Sequence, residues 1–571
     1  MSEALSEEPM PVGISSFEKL VTSGYYYADK TLLVRDVLQD AAEAILFCRP
    51  RRFGKTLNLD MLRRFFEVLP ERRDVASLFS GMRVAACGDD VLCHQGRHPV
   101  VWLTFKDVKY PTWEGALGSI AQLVAAECGR HDYLADSAAC KPGDRELFRR
   151  MLQADVDVVP QALLVLTRML AAHHGAPCVV LVDEYDTPVN EALHRGYYDQ
   201  AIDFMRVFLS GGLKDNPALF HGYLTGILRV AKEGIFSGLN NLKVDTVLDR
   251  KFAPYFGFTH EDVRTMCDAY GAGNKYEELC DWYDGYRFGD REVFNPWSVI
   301  NYFSYDQTAR PYWVSTSSNS VIADVLAHAT SDVERDLGSL LEGGSVAVRV
   351  SVDAVYPRML DDKSTAFSLL LMSGYLTVAE GSEANDFGRY RLRLPNRELA
   401  LVYQSEVIDS MSRYVPRGLA FDFQDALLDG DAEALQRALE RLLLRSASYF
   451  DTASEAFYQG LTLGLVATVD GRYRVLSNRE SGHGRFDIAL VPTDAGRGLP
   501  GVVIELKAAG KDVDEDGLRA LAVAALEQVR CREYDVELQA GGVGDVLAYG
   551  VAFGGKRACV EVGSADAGEG A

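Results

Sequence analysis

Two groups of residues have types and spacing suited to phosphate chemistry. The first is Gly54-Lys55-Thr56, closing the loop RPRRFGKT after the apolar run Ala44 to Cys48. Beyond it, Leu57, Leu59, Met61, Leu62, Phe65 and Phe66 recur at mixed helical spacing. Strand, loop and helix in that order is the context a phosphate cradle requires. In it, Gly54 lets the backbone approach, Lys55 reaches the outer phosphates as a point charge, and Thr56 ligates Mg²⁺. The helix N-terminus adds N–H donors and a partial positive charge. Arg52, Phe53, Gly54, Lys55, Thr56 and Leu57 are therefore the expected nucleotide-binding residues. Arg49 stands where the general motif has its first glycine, so the loop entry must take a conformation that an arginine can adopt. Taken alone, Gly-Lys-Thr also reads as a basic turn before a helix.

A second motif adds weight. CVVLVDEYDTP, residues 178–188, begins as a continuous apolar run suited to a buried parallel strand and ends in Asp183-Glu184. Asp183 is the expected Mg²⁺ ligand and Glu184 the expected catalytic base; the bland alternative is a strand-end turn. Asp186 fits a turn or helix entry better. A third strand, Leu219 to Thr225, ends in a polar residue that could sense the outer phosphate. Arg229 and Lys232 could reach nucleotide or be solvated charges.

The second group lies near the C-terminus. Arg485-Phe486-Asp487 opens a strand, and VVIELK, residues 502–507, sets Glu505 and Lys507 on one strand face. Asp487 and Glu505 can hold one or two Mg²⁺ (or Mn²⁺) ions, and Lys507 can orient a nucleophile or stabilise charge on phosphorus. Glu455, near the start of a helix, could add an outer ligand. Gln528, on the helix LAVAALEQVR, could bind water or phosphate. Glu-x-Lys by itself is also an ordinary same-face charge pair.

The elements that must position these groups read as α/β. Strands alternating with helical stretches indicate a parallel sheet in the N-terminal part. DWYDGYRFGDREVFNPWSVINYF carries turn pairs and a short helix after Asn295-Pro296. RYRLRLPNREL contains an alternating strand with Arg391 and Arg393 on one face, and a charged helical stretch from Asp425 reads as a connector. Tyr473 to Leu476 reads as a strand and SNRESGHG as a polar turn. The expected organisation is 10–250, a P-loop domain; 251–345, a helical lid; 346–444, a connector; and 445–560, a second α/β domain.

Bulk properties narrow the classes. The chain has 571 residues and a net charge of −23. That acidity argues against a general nucleic-acid coat protein, whose affinity rests on cationic contacts to phosphate. A locally positive cleft or bound divalent metal remains compatible with it. No apolar run is long enough to span a membrane, and MSEALSEEPMPVG does not read as a secretion signal, so a cytoplasmic protein is expected. The ten cysteines form no CxxC pair, and Cys87, Cys93 and His94 lack a second ligand pair.

PVGISSFEKLVTSGYYYADKT, RPRRFGKTL, LVDEYDTP and LTGILRVAKEGIFSGLNNL together resemble the bacterial AAA-ATPase-like family over roughly residues 10 to 250. Arginine in place of the first glycine looks like that family's own form. The resemblance implies an AAA-like P-loop fold that binds ATP, with Lys55, Thr56, Asp183 and Glu184 at the site. EAFYQGLTLGL, SNRESGHGRFDIALVP and VVIELK resemble the PD-(D/E)xK nuclease superfamily, with a restriction-endonuclease-like fold. Its pattern lands on Glu455, Asp487, Glu505, Lys507 and Gln528. Phe486 replaces the motif's proline, and Gln459 stands where a histidine is expected. The implied partners are ATP and DNA, with self-association as a further option and no membrane. Two other readings stay open: a regulatory NTPase switch whose last domain only binds, and a partner-binding protein with vestigial sites.

Overall fold

The structure is a computed structural model. It describes residues 8–68, 75–230, 241–313, 343–354, 362–382, 388–403, 417–445, 473–481, 484–492, 499–510, 512–531 and 543–564, with single positions between 322 and 340 and between 458 and 466. Two compact units divide the chain: Met1–Ser317 with Ala347–Leu399, and Ser318–Val346 with Ala400–Ala571.

The first unit is built on strands β1 (Ala44–Cys48), β2 (Val100–Thr104), β3 (Cys178–Asp183), β4 (Leu219–Gly226) and β5 (Leu242–Asp245), in the order β2-β3-β4-β1-β5. Every pairing is parallel. All residues of β1 and β3 are buried, as their uninterrupted apolar runs require of strands covered on both faces. Helix α1 (Lys55–Phe66) follows β1 and buries Leu59, Met61, Leu62, Phe65 and Phe66. Although β4 comes late in the chain, it lies between β1 and β3. Its last residues therefore lie between the ends of β1 and β3, at the carboxyl edge where open α/β sheets bind ligands.

Residues 251–313 pack within this same unit. Thr259 and Asp262 form a capping box at the helix His260–Ala269, and the Asn295 side chain caps Pro296–Ser304. Between them, Tyr286–Phe288 and Arg291–Val293 form an antiparallel hairpin. The expected alternating strand is Arg389–Arg393, paired with Thr377–Val378.

The second unit contains strands β6 (Tyr473–Ser481), β7 (Gly484–Pro492), β8 (Gly501–Ala509), β9 (Val546–Gly554) and β10 (Arg557–Ser564), hydrogen-bonded in sequence order. Only β8 and β9 pair in parallel. A parallel pair needs a long crossover, and α4 (Glu515–Cys531) lies within it. Helices α2 (Arg417–Asp429) and α3 (Ala432–Arg445), which read as a connector, contribute Leu427, Leu435, Leu439 and Leu443 to the core over one sheet face, with Ile488, Leu490, Val502, Ile504 and Leu506. The opposite face packs Ala489, Val503 and Ala548 against Leu526 and Val529 of α4.

One local expectation is corrected. The polar turn placed at SNRESGHG does not begin after Leu476, because β6 runs to Ser481 and pairs Ser477 with Ile488 and Arg479 with Phe486. Backbone pairing with β7 outweighs the polar composition, which a strand of an antiparallel pair tolerates.

Candidate functional site

The loop expected to hold nucleotide turns through two left-handed residues, Arg52 (φ 69°) and Gly54 (φ 79°). Gly54 meets nothing within 4 Å of an added Cβ, so its requirement is conformational rather than spatial. Lys55 is the first residue of α1, and its ammonium donates to the carbonyls of Arg49 (2.9 Å) and Pro50 (2.8 Å). Burial pulls that ammonium below the usual lysine range, while Glu184, Asp186 and Asp183 act in the opposite sense.

Asp183, at the end of β3, gathers three hydroxyls. Thr56 donates to Oδ2 at 2.9 Å, Thr104 to Oδ2 at 3.3 Å and Thr225 to Oδ1 at 2.6 Å. Burial raises the Asp183 carboxyl above its ordinary range, and the Thr225 bond is the largest opposing effect. Glu184 takes a left-handed conformation (φ 50°). Its N–H donates to Thr225 Oγ1 at 3.2 Å, and its Oε2 accepts from Thr187 at 3.2 Å. Lys55, Thr56, Asp183, Glu184 and Thr225 are thus brought together. Asp186 plays a different part. Its Oδ2 accepts the N–H groups of Ile227 and Leu228, closing the turn after β4. Arg229 pairs in register with Asp353 in a two-residue parallel ladder.

Arg49 explains the departure from the first-glycine motif. It is fully buried, and its Nη1 donates to the carbonyls of Cys48 and Asp245, each at 3.0 Å. Its Nη2 pairs with the Asp245 carboxylate, and the guanidinium lies over Phe256 and Phe288. The residue ties the end of β1 to the end of β5. Sequence reasoning missed this role, because Asp245 lies far along the chain.

Two expected nucleotide residues turn their side chains elsewhere. The Phe53 ring is buried against Tyr286 (4.9 Å) and Phe288 (5.1 Å), leaving its backbone for the loop. Arg52 donates to the Trp313 carbonyl at 3.0 Å and lies over the Trp297 and Trp313 rings. Trp313 is in turn held through its N–H by buried Glu398 at 2.8 Å, which also accepts from Ser298. Burial raises Glu398 to about 7, against the hydrogen bonds from Trp313 and Ser298 and the charge of Arg52.

In the second unit, strand alternation sets up the other group. Val502, Ile504 and Leu506 face the α2–α3 core, so Val503, Glu505 and Lys507 face the α4 side. The register Ile488↔Ile504, continued by one residue, puts Asp487 across from Glu505. Asp487 Oδ2 accepts the Leu506 N–H at 2.8 Å, and Glu505 Oε1 accepts from Lys507 Nζ at 3.2 Å. Gln528, reaching down from α4, also donates to Glu505 Oε1. Asp487, Glu505, Lys507 and Gln528 therefore converge, whereas Glu455 lies outside the described residues. Gln459 donates to the Asp487 carbonyl at 3.2 Å, so it buttresses the strand that carries the carboxylate.

Gly550 makes this convergence sterically allowed. It sits opposite Glu505 in the β8–β9 register, and an added Cβ would come within 2.0 Å of the Ala522 carbonyl oxygen and 2.4 Å of the Leu526 nitrogen. Helix α4 can lie close to the sheet only because that side chain is absent. A glycine inside the apolar run VLAYGVAFG was the available signal.

The first unit is a parallel-sheet P-loop fold and the second a mixed sheet carrying a carboxylate–lysine group. Residues 11–236 match the family described as AAA-ATPase_like, "Predicted AAA-ATPase", and residues 453–562 match the PD-(D/E)XK nuclease superfamily. The chain thus joins an AAA-ATPase-like N-terminal domain to a C-terminal domain of the PD-(D/E)XK nuclease superfamily. It is 28% identical over 440 residues to an uncharacterized protein in the vnfD 5' region of Azotobacter chroococcum mcd 1, covering 76% of each chain. The Walker-type ATPase PABY2304 of Pyrococcus abyssi aligns with a TM-score of 0.35 and 12% identity over 70% of this chain and 99% of its own; that likeness carries no weight. Among the described residues, no helix is long and apolar enough to cross a membrane.

Proposed function

We propose that the protein binds and hydrolyses ATP and that nucleotide controls a metal-dependent nuclease acting on DNA. The observation that carries the reading is the gathering of Lys55, Thr56, Asp183, Glu184 and Thr225 around one sheet edge, on the same chain as Asp487, Glu505 and Lys507. Lys55 and the N–H groups opening α1 would hold the phosphates, and Thr56 with Asp183 would hold Mg²⁺. Glu184 would orient the attacking water. In the second unit, Asp487 and Glu505 form an acidic pair suited to Mg²⁺ or Mn²⁺, which supplies Lewis acidity at the phosphate. Lys507 would place positive charge beside the scissile phosphate, and Gln528 would orient Glu505.

The test is cleavage of plasmid and single-stranded DNA by the full chain with Mn²⁺ or Mg²⁺, with and without ATP. Wild type is compared with Lys507→Ala and Lys55→Ala. Cutting that needs Lys507 and responds to ATP through Lys55 supports the coupled reading. A second reading, a nucleotide-dependent switch whose last domain only binds nucleic acid or a partner, is favoured by the net charge of −23. It gains if wild type binds ATP but cuts nothing. Sedimentation of the full chain with and without ATP measures whether it self-associates.

A further inference from the structure

A third group of donor side chains lies in the first unit, within residues 260–292. His260 opens one helix, Cys280 lies in the last turn of the helix Tyr276–Tyr283, and Asp284 follows that helix directly. One ligand atom from each lies within 4.8 Å of the others. His260 Nε2 is 3.3 Å from Asp284 Oδ2 and 3.8 Å from Glu292 Oε2. In a tetrahedral site with bonds of about 2.0–2.3 Å, ligand atoms sit roughly 3.3–3.8 Å apart, so among His260, Cys280 and Asp284 a contraction of about 1 Å at the widest edge would suffice, while Glu292, outside that group, would have to move in further.

Two further observations point to a ligand. Asp284 is only 8% exposed; its Oδ2 faces His260, the Gly285 N–H is its backbone neighbour, and its Oδ1 is buried without a hydrogen bond of good geometry among the described residues. A buried carboxylate oxygen is expected to have a partner. His260 Nδ1 is engaged by the Tyr276 hydroxyl at 2.6 Å, which fixes the ring and turns Nε2 toward the carboxylates. Metal-bound histidines are oriented through their second nitrogen in this way. Glu292 uses its other oxygen, Oε1, toward Arg393 at 3.6 Å, so Oε2 can face the cluster.

We propose that His260, Cys280 and Asp284, with Glu292 as a fourth donor, form a site for one borderline-soft divalent cation such as Zn²⁺. One nitrogen, one sulfur and two carboxylate oxygens suit that ion better than Mg²⁺ or Ca²⁺, which take oxygen ligands. The site is separate from the nucleotide edge and has a structural consequence for it. Asp284 leads into the hairpin whose Tyr286 and Phe288 pack on Phe53 of the nucleotide loop. A cation there would pin that hairpin to the helix His260–Ala269.

The experiment uses the full chain, stripped with a chelator and titrated with Co²⁺. Wild type should take up one tightly bound equivalent with visible bands of a tetrahedral site and a thiolate-to-cobalt band in the near ultraviolet. Cys280→Ser should lose the thiolate band, and His260→Ala should bind at least tenfold more weakly. Zn²⁺ should displace the cobalt signal and raise the thermal midpoint of wild type more than that of Cys280→Ser. Circular dichroism of the metal-free variants checks that both fold, and Cys280→Ala, read by the same loss of the thiolate band, replaces Cys280→Ser if that variant does not. Absence of a thiolate band in wild type overturns the proposal, as does an unchanged band in folded Cys280→Ser, which would place the metal on other cysteines.

Discussion

Thr225 Oγ1 donates to Asp183 Oδ1 at 2.6 Å and accepts the N–H of Glu184 at 3.2 Å. One hydroxyl at the end of β4 therefore fixes both acidic residues at the end of β3. Removing it with Thr225→Val keeps the shape and takes away a bond to a charged group, a contribution of about 1.5–3 kcal/mol. ATP turnover should fall roughly 10- to 100-fold, while equilibrium ATP affinity changes little. Steady-state hydrolysis beside a binding titration checks this, and Thr225→Ser should retain much of the rate.

Lys55 is buried and donates to the carbonyls of Arg49 and Pro50 in its own loop, and in the proposed function it holds phosphate. Lys55→Ala should abolish measurable binding of labelled ATP in equilibrium dialysis. Retained affinity would show that the loop holds nucleotide through its backbone alone.

Restoring the missing glycine of the loop should harm the protein. Arg49→Gly leaves Asp245 buried without its cation and empties the space between Phe256 and Phe288. Breaking a buried pair from one side typically costs about 3–5 kcal/mol. Urea unfolding should show a loss of that order, and a variant as stable as wild type would mean that Asp245 finds another partner.

Gly550→Ala should damage the C-terminal site without touching its chemistry. The added methyl meets backbone atoms of α4, which cannot rotate away, so the helix must shift and carry Gln528 with it. Overpacking of this kind costs about 1–3 kcal/mol or more. Metal-dependent cleavage should fall together with thermal stability, whereas ATP binding should persist.

Glu398 gives the first unit a pH dependence. Burial raises its carboxyl from the ordinary 4.5 to about 7. The folded state holds this proton more tightly than the unfolded chain, so the contribution is full below about pH 4.5 and is lost as pH climbs to about 7. Relative to Glu398→Gln, wild type should lose up to about 3 kcal/mol across that window and stay level above it. Unfolding midpoints of the two proteins between pH 4.5 and 8 measure the difference; parallel curves would exclude Glu398 as the source.

Much of both candidate sites was legible along the chain, because the residue types and spacing of each motif are local. Gly54, Lys55 and Thr56 are consecutive, as are Asp183 and Glu184, and the apolar runs before them announce buried strands. Glu505 and Lys507 share a face because strand periodicity is two. Tertiary structure decided what depends on distant segments meeting. Strand order placed Thr225 beside Asp183, and it gave Arg49 a carboxylate nearly two hundred positions away. Ring packing turned Phe53 and Arg52 into anchors of the loop. The close seat of α4 over Gly550 and the meeting of His260, Cys280 and Asp284 belong to the same class. Local composition encodes backbone periodicity and the reactive groups, whereas which groups share a volume is set by how whole elements pack.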